Sequence, residues 1–260
     1  MSNRRPIAVI DSGLGGISVL RHLVRELPSE NFVYFGDTAN APYGSKTSET
    51  VCHLTASNIK MLLSQYRAKA IVIACNTATG AAAAKCRELF ANIPIIGIEP
   101  AIKPAVTGSG KENPTVLVMA TPLTLSQDKF TALAQKYNPN SSIIALPCPG
   151  LAEAIENEAS ETEMTELLER LLSGVERDAV DSIVLGCTHY PLVSEYIARL
   201  IPGAVIFDGG LGTAMQTRRR LEAEDLLSDL ENEGSVTVIN SAHDPNFEDR
   251  ALKYLKSEGK

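Results

Sequence analysis

Four short apolar runs in the first hundred residues of this chain recur, in the same order, about 110 residues later. PIAVID (6–11), NFVYFGD (31–37), AIVIACN (70–76) and IPIIGIE (93–99) are matched by TVLVMAT (115–121), SSIIALPC (141–148), SIVLGCT (182–188) and GAVIFDG (203–209). Val9 to Val118 spans 109 residues, Val33 to Ile143 spans 110, Cys75 to Cys187 spans 112, and Pro94 to Ala204 spans 110. Four matched runs at one nearly constant offset point to two copies of one architectural plan. In the first copy each run is short, continuous and bounded by turn residues, the pattern of a buried strand. Between the runs, ISVLRHLVREL (17–27) and TSETVCHLTASNIKMLLSQY (47–66) place apolar residues at helical spacing. Buried strands alternating with helices predict an α/β chain of two similar domains, each a mainly parallel sheet flanked by helices. Pseudo-two-fold symmetry then puts a cleft between them. A length of 260 residues suits two such domains. The remaining strand, SVTVINS (235–241), cannot stand alone and is expected to extend the edge of one sheet.

In open parallel sheets ligands bind at the carboxyl ends of the strands, where loops meet helix N-termini. The residues just after each apolar run are therefore the ones to read. Asp11-Ser12-Gly13-Leu14-Gly15-Gly16 fails as a dinucleotide fingerprint, because the third glycine would fall at Ser18. GSGKE (108–112) fails as a P-loop, with Ala105 and Glu112 at the decisive positions. The DSGLGG turn reads as a helix cap whose glycines let a carboxylate approach backbone N–H groups. Pro42-Tyr43-Gly44 forms a turn. Cys75-Asn76-Thr77 and Cys187-Thr188-His189 end matched strands. A thiol where a strand enters a helix is expected to have a lowered pKa, because the helix N-terminus favours the anion. His189, two residues from Cys187, can polarise that thiol, and Asn76, Thr77 and Thr188 supply neutral donors for a carboxylate.

Net charge is −7, which argues against broad nucleic-acid or anionic-membrane binding. No apolar run approaches the roughly 20 residues that span a bilayer, and IAVI is too short for a secretory signal, so a cytoplasmic protein is expected. Five cysteines, an odd number with no C-x-x-C pair, argue against a disulfide framework and a structural zinc site. Cys52 and Cys86 read as small buried hydrophobes. Cys75 and Cys187 read differently, because two facing domains would set them on opposite walls of one cleft. One thiolate could then remove a proton from a carbon while the other thiol returns one to the opposite face.

The motifs DSGLGG, GDTANAPYG, ACNTA and GCTHYP, in this order over almost the whole chain, resemble those of the aspartate/glutamate racemase family, and within it the glutamate racemases. The resemblance implies a cofactor-independent isomerase that interconverts L- and D-glutamate for bacterial cell-wall peptidoglycan, with no metal. It implies Cys75 and Cys187 as the acid/base pair, Cys75 acting on the D-enantiomer and Cys187 on the L-enantiomer. Asp11 and His189 would assist their respective thiols. Asp11, Ser12, Tyr43, Gly44, Asn76, Thr77, Thr188 and His189 fall on substrate-contacting motifs. CPGLAEAIE places a further catalytic glutamate at Glu156, with Glu153 near. CPGLAEAIE also looks like the subgroup that a UDP-linked muramyl precursor activates. Asp208-Gly209-Gly210 departs from the family's Asp-Ser-Ala run. The family fold implies a first domain of 1–97 plus 209–260 and a second of 98–208, acting as a monomer or homodimer. Three other readings compete: a thiol hydrolase using Cys187 and His189, a racemase for aspartate, and a two-lobed amino-acid binding protein. A metal site built from Cys75, Cys187, His189 and Asp11 is a weaker alternative.

Overall fold

The computed structural model describes residues 3–137, 139, 141–229 and 231–256. Among them the matched runs are all strands: β1 (Ile7–Asp11), β2 (Phe32–Gly36), β3 (Ala70–Ile73), β4 (Ile95–Gly97), β5 (Thr115–Ala120), β6 (Ser142–Pro147), β7 (Ser182–Leu185) and β8 (Val205–Asp208). The tail supplies β9 (Val236–Asn240). Two sheets result, in the orders β4-β3-β1-β2-β9 and β6-β5-β7-β8. Every pairing is parallel. Replacing β1, β2, β3 and β4 by β5, β6, β7 and β8 converts the first sheet into the second, so the sequence offset is a repeat of topology. The tail strand β9 lies beside β2 on the edge of the first sheet.

Alternation along each strand divides the first sheet's apolar residues between two faces. Ile7, Val9, Phe32, Tyr34 and Val72 pack with Leu20, Leu23 and the tail residues Ala214, Leu221 and Phe247. Ala8, Ile10, Val33, Ile71 and Ile73 pack on the other face with Ile59, Leu62 and Cys86. Each such aliphatic side chain contributes about 1.5–3 kcal/mol when buried, so the tail is held by the same core as the N-terminal strands. Cys86 is buried as expected, whereas Cys52 is half-buried at the rim of that core. In the second sheet β5 is buried nearly throughout and β7 fully, but β6 and β8 leave much of their length exposed. Those two are the sheet edges, covered on fewer sides than the central strands. Among the described residues no helix is long and apolar enough to cross a membrane.

Candidate active site

The carboxyl ends of both sheets face one cavity of about 720 Å³. Ser12, Tyr43, Gly44, Cys75, Asn76 and Thr77 line it from the first sheet's side. Glu156, Cys187, Thr188 and His189 line it from the second. The structure therefore brings together every candidate residue but one. Asp11 is fully buried behind the wall, not on it.

Cys75 follows β3 and begins the helix Asn76–Leu89. Its Sγ accepts the Ala78 N–H at 3.4 Å, so the thiol itself is the helix N-cap. The thiol also lies 3.9 Å from Ser12 Oγ. The expected lowering of its pKa does not occur. Burial, and then the charge of Asp11, outweigh the Ala78 N–H and push the Cys75 thiol up to about 12. The helix N-terminus acts in the direction expected, but a thiol 6% exposed loses more by desolvation than one N–H returns.

Cys187 is 8% exposed and differs in surroundings. β7 ends two residues earlier, and the chain enters a 3₁₀ turn, Tyr190–Val193, rather than an α-helix. Pro191 sits in the first turn, where its missing N–H is tolerated. No helix N-terminus meets this thiol; an imidazole does. His189 Nδ1 lies 3.8 Å from Cys187 Sγ. On the other side of the ring, Nε2 donates to Glu156 Oε2 at 2.6 Å. Burial disfavours a charged imidazole, yet the hydrogen bonds with Cys187 and Glu156 hold the His189 pKa well above the ordinary histidine value. Burial alone would raise the Glu156 carboxyl, but His189 and the Leu14 N–H hold it below the usual range. Glu156, not Glu153, makes this contact.

The DSGLGG turn is occupied by the protein's own groups. Both Glu156 carboxylate oxygens accept the Leu14 N–H, at 3.0 and 3.2 Å. A Cβ at position 13 would lie 2.6 Å from Glu156 Oε2, and one at position 15 would lie 2.5 Å from His189 Nδ1. The glycines admit a carboxylate to the backbone, as expected, but that carboxylate is Glu156 and not a ligand. Asp11 joins the same junction: Gly13 N–H donates to Oδ2 and Thr188 Oγ1 to Oδ1, both at 3.0 Å. Burial raises the Asp11 pKa, opposed by the His189 charge. The sequence reading put Asp11 in contact with substrate. In the structure both oxygens are engaged behind the wall, and its reach to Cys75 is electrostatic.

Tyr43 is buried, and its hydroxyl donates to Asp37 Oδ2 at 2.6 Å. Asn76 is buried with neither Oδ1 nor Nδ2 partnered among the described residues, an amide able to satisfy a polar ligand after a small rearrangement. Among the cavity residues that the motifs do not single out, two end strands of the second sheet. Thr121 follows β5 and Cys148 follows β6. At offsets of 109 and 110 they are the counterparts of Ser12 and Thr38, so the strand-end rule applied to both copies identifies them. Thr121 Oγ1 lies 3.0 Å from Thr77 Oγ1, joining the two sides. Among the described residues no group of three or more His, Cys, Asp or Glu side chains is disposed to hold a metal ion.

Residues 7–216 match the family model for Asp/Glu/Hydantoin racemase. The chain is 47% identical over 251 residues to a glutamate racemase of Clostridium acetobutylicum, covering 96% of this chain and 97% of that one. The crystal structure of glutamate racemase from Francisella tularensis in complex with D-glutamate superposes with a TM-score of 0.83 at 30% identity, covering 98% and 95% of the two chains. The Escherichia coli glutamate racemase in complex with L-glutamate and activator UDP-MurNAc-Ala also gives 0.83, at 27% identity, covering 97% and 94%.

Proposed function

The chain belongs to the Asp/Glu/Hydantoin racemase family, and from that premise we propose that it is a glutamate racemase working through two thiols. The observation that carries this reading is the placement of Cys75 and Cys187, each ending one of a pair of matched strands, on opposite sides of one cavity. One thiolate takes the Cα proton, forming an S–H bond and leaving the C–H electron pair on carbon. The opposite thiol gives its proton to the other face, and its sulfur retains the S–H pair. The proton count is unchanged and the configuration inverts. Cys75, pushed up to about 12, rests as the thiol and so as the proton donor. Cys187 works with the proton that it shares with His189, which Glu156 orients and charges. In this reading Cys187 deprotonates L-glutamate and Cys75 deprotonates D-glutamate. For the substrate carboxylates Asn76 supplies its unpartnered amide, Thr77 a hydroxyl that it shares with Thr121 and Thr124, and Thr188, whose hydroxyl proton goes to Asp11, its backbone N–H; closure around the cavity excludes water from the carbanion-like intermediate.

The wider reading follows the same premise. The domains are 1–97 plus 209–260 and 98–208. The product D-glutamate supplies peptidoglycan synthesis in the cytoplasm, without a cofactor, and a UDP-linked muramyl precursor is the candidate activator. The direct test is circular dichroism of separate L- and D-glutamate incubations, with aspartate as the control. Both glutamate signals should decay to zero, with a chelator present and no pyridoxal phosphate added, while aspartate persists. Aspartate racemised as fast as glutamate, or loss of activity with the chelator, would refute this assignment. The Cys187–His189–Glu156 line also favours a second reading, a thiol hydrolase. That reading leaves Cys75 unused and predicts release of ammonia or another cleaved product, which a racemase does not form.

A further inference from the structure

Gly80 sits inside the helix Asn76–Leu89, in the run TATGAAAAK. Glycine weakens a helix interior more than any residue but proline, so propensity does not account for it. A side chain from the second sheet's side does. Gln127, just after the helix Pro122–Ser126, lies against the Gly80 backbone: a Cβ there would be 1.5 Å from Gln127 Oε1 and 2.4 Å from its Cδ. From this seat Gln127 Nε2 donates to the Thr77 carbonyl at 3.1 Å. Thr77 is held from the same direction through its hydroxyl, 3.0 Å from both Thr121 Oγ1 and Thr124 Oγ1. Gln127 also borders two spaces behind the active cavity. One is a cavity of about 20 Å³ shared with Asn76, and the other an outer recess of about 520 Å³ reaching Arg87. It therefore stands between the unpartnered Asn76 amide and the recess.

We infer that Gln127 is a positioning residue for racemisation. Seated on Gly80, it fixes the Cys75-Asn76-Thr77 corner against the opposite side of the molecule and closes the space behind Asn76. Gly80 is its seat, and no larger residue leaves room for it. The inference rests on the racemase reading for its effect on turnover, but the seat itself is independent of that reading.

Two measurements on Gln127→Met, Gln127→Ala, Gly80→Ala and the Gln127→Ala/Gly80→Ala double variant test it. Gln127→Met keeps the length and loses the donor. Its kcat should fall about tenfold in both directions with KM changed less than about twofold, since a small misplacement of a reacting group acts on turnover. In melting experiments Gly80→Ala should lower the transition temperature of the parent, yet raise it in the Gln127→Ala background, where helix propensity alone remains. Unchanged kcat in Gln127→Met overturns the positioning role. Equal lowering by Gly80→Ala in both backgrounds overturns the seat. Should Gly80→Ala alone fail to fold while the double variant folds, the seat is supported, and Gln127→Met still decides the role in turnover. A parent chain without racemisation refutes the functional reading instead, and the melting cycle then still tests the seat.

Discussion

Cys75→Ala and Cys187→Ala should each lower racemisation by about three to four orders of magnitude, the range removed with an essential acid or base. The losses should be nearly equal, because each direction needs one thiol to take a proton and the other to give one. What remains should differ between the two variants. Cys75→Ala keeps Cys187 and should still exchange the Cα hydrogen of L-glutamate with solvent without inverting it. Cys187→Ala should show the mirror pattern with D-glutamate. Folding is not expected to fail. Replacing Cys75 removes one sulfur and the N-cap contact with Ala78, a loss of about 1 kcal/mol. Nuclear magnetic resonance of the Cα position, run beside far-ultraviolet circular dichroism, checks all of this. Full turnover in either single variant contradicts the two-thiol account.

The second large effect belongs to Glu156. In Glu156→Gln the shape persists and the charge is lost. His189 then loses the carboxylate that holds its pKa well above the ordinary value, and Leu14 N–H loses a charged acceptor. The sign follows from the direction of the shift. A raised imidazole pKa keeps the proton shared by His189 and Cys187 in place as pH rises, and a smaller shift surrenders it earlier. The alkaline limb of kcat/KM should therefore move to lower pH in Glu156→Gln, with about a hundredfold loss at neutral pH. His189→Asn should lose about a thousandfold and abolish that limb's dependence on residue 156. The pH profiles of the parent, both single variants and the double variant decide the matter. An unmoved limb in Glu156→Gln would show that the carboxylate only braces the DSGLGG turn.

These expectations rest on features of unequal legibility in the sequence. The strands could be read because each is a short apolar run ending in turn residues, and the repeat at about 110 residues tied β1–β4 to β5–β8. The same repeat placed Cys75 and Cys187 on facing walls. What escaped reading depends on contacts between distant segments. Nothing in DSGLGG says that its Leu14 N–H is met by Glu156, 142 residues away. The family resemblance implies that Asp11 contacts substrate, and only the paired contacts to Gly13 and Thr188 show that it lies behind the cavity wall. The thiol pKa was misjudged because a helix N-terminus is visible in sequence and the depth of burial is not. Nothing in TATGAAAAK says that Gly80 leaves room for Gln127, 47 residues away.

The central claim, one thiol for each face, is tested most directly by running L-glutamate in heavy water and stopping the reaction early. The two-thiol account predicts deuterium at Cα of the D-glutamate formed, while recovered L-glutamate still carries protium. The proton taken by Cys187 and the one delivered by Cys75 come from different pools. Protium carried over from L-glutamate into the D-glutamate formed would mean that a single group serves both faces, and the account would be wrong.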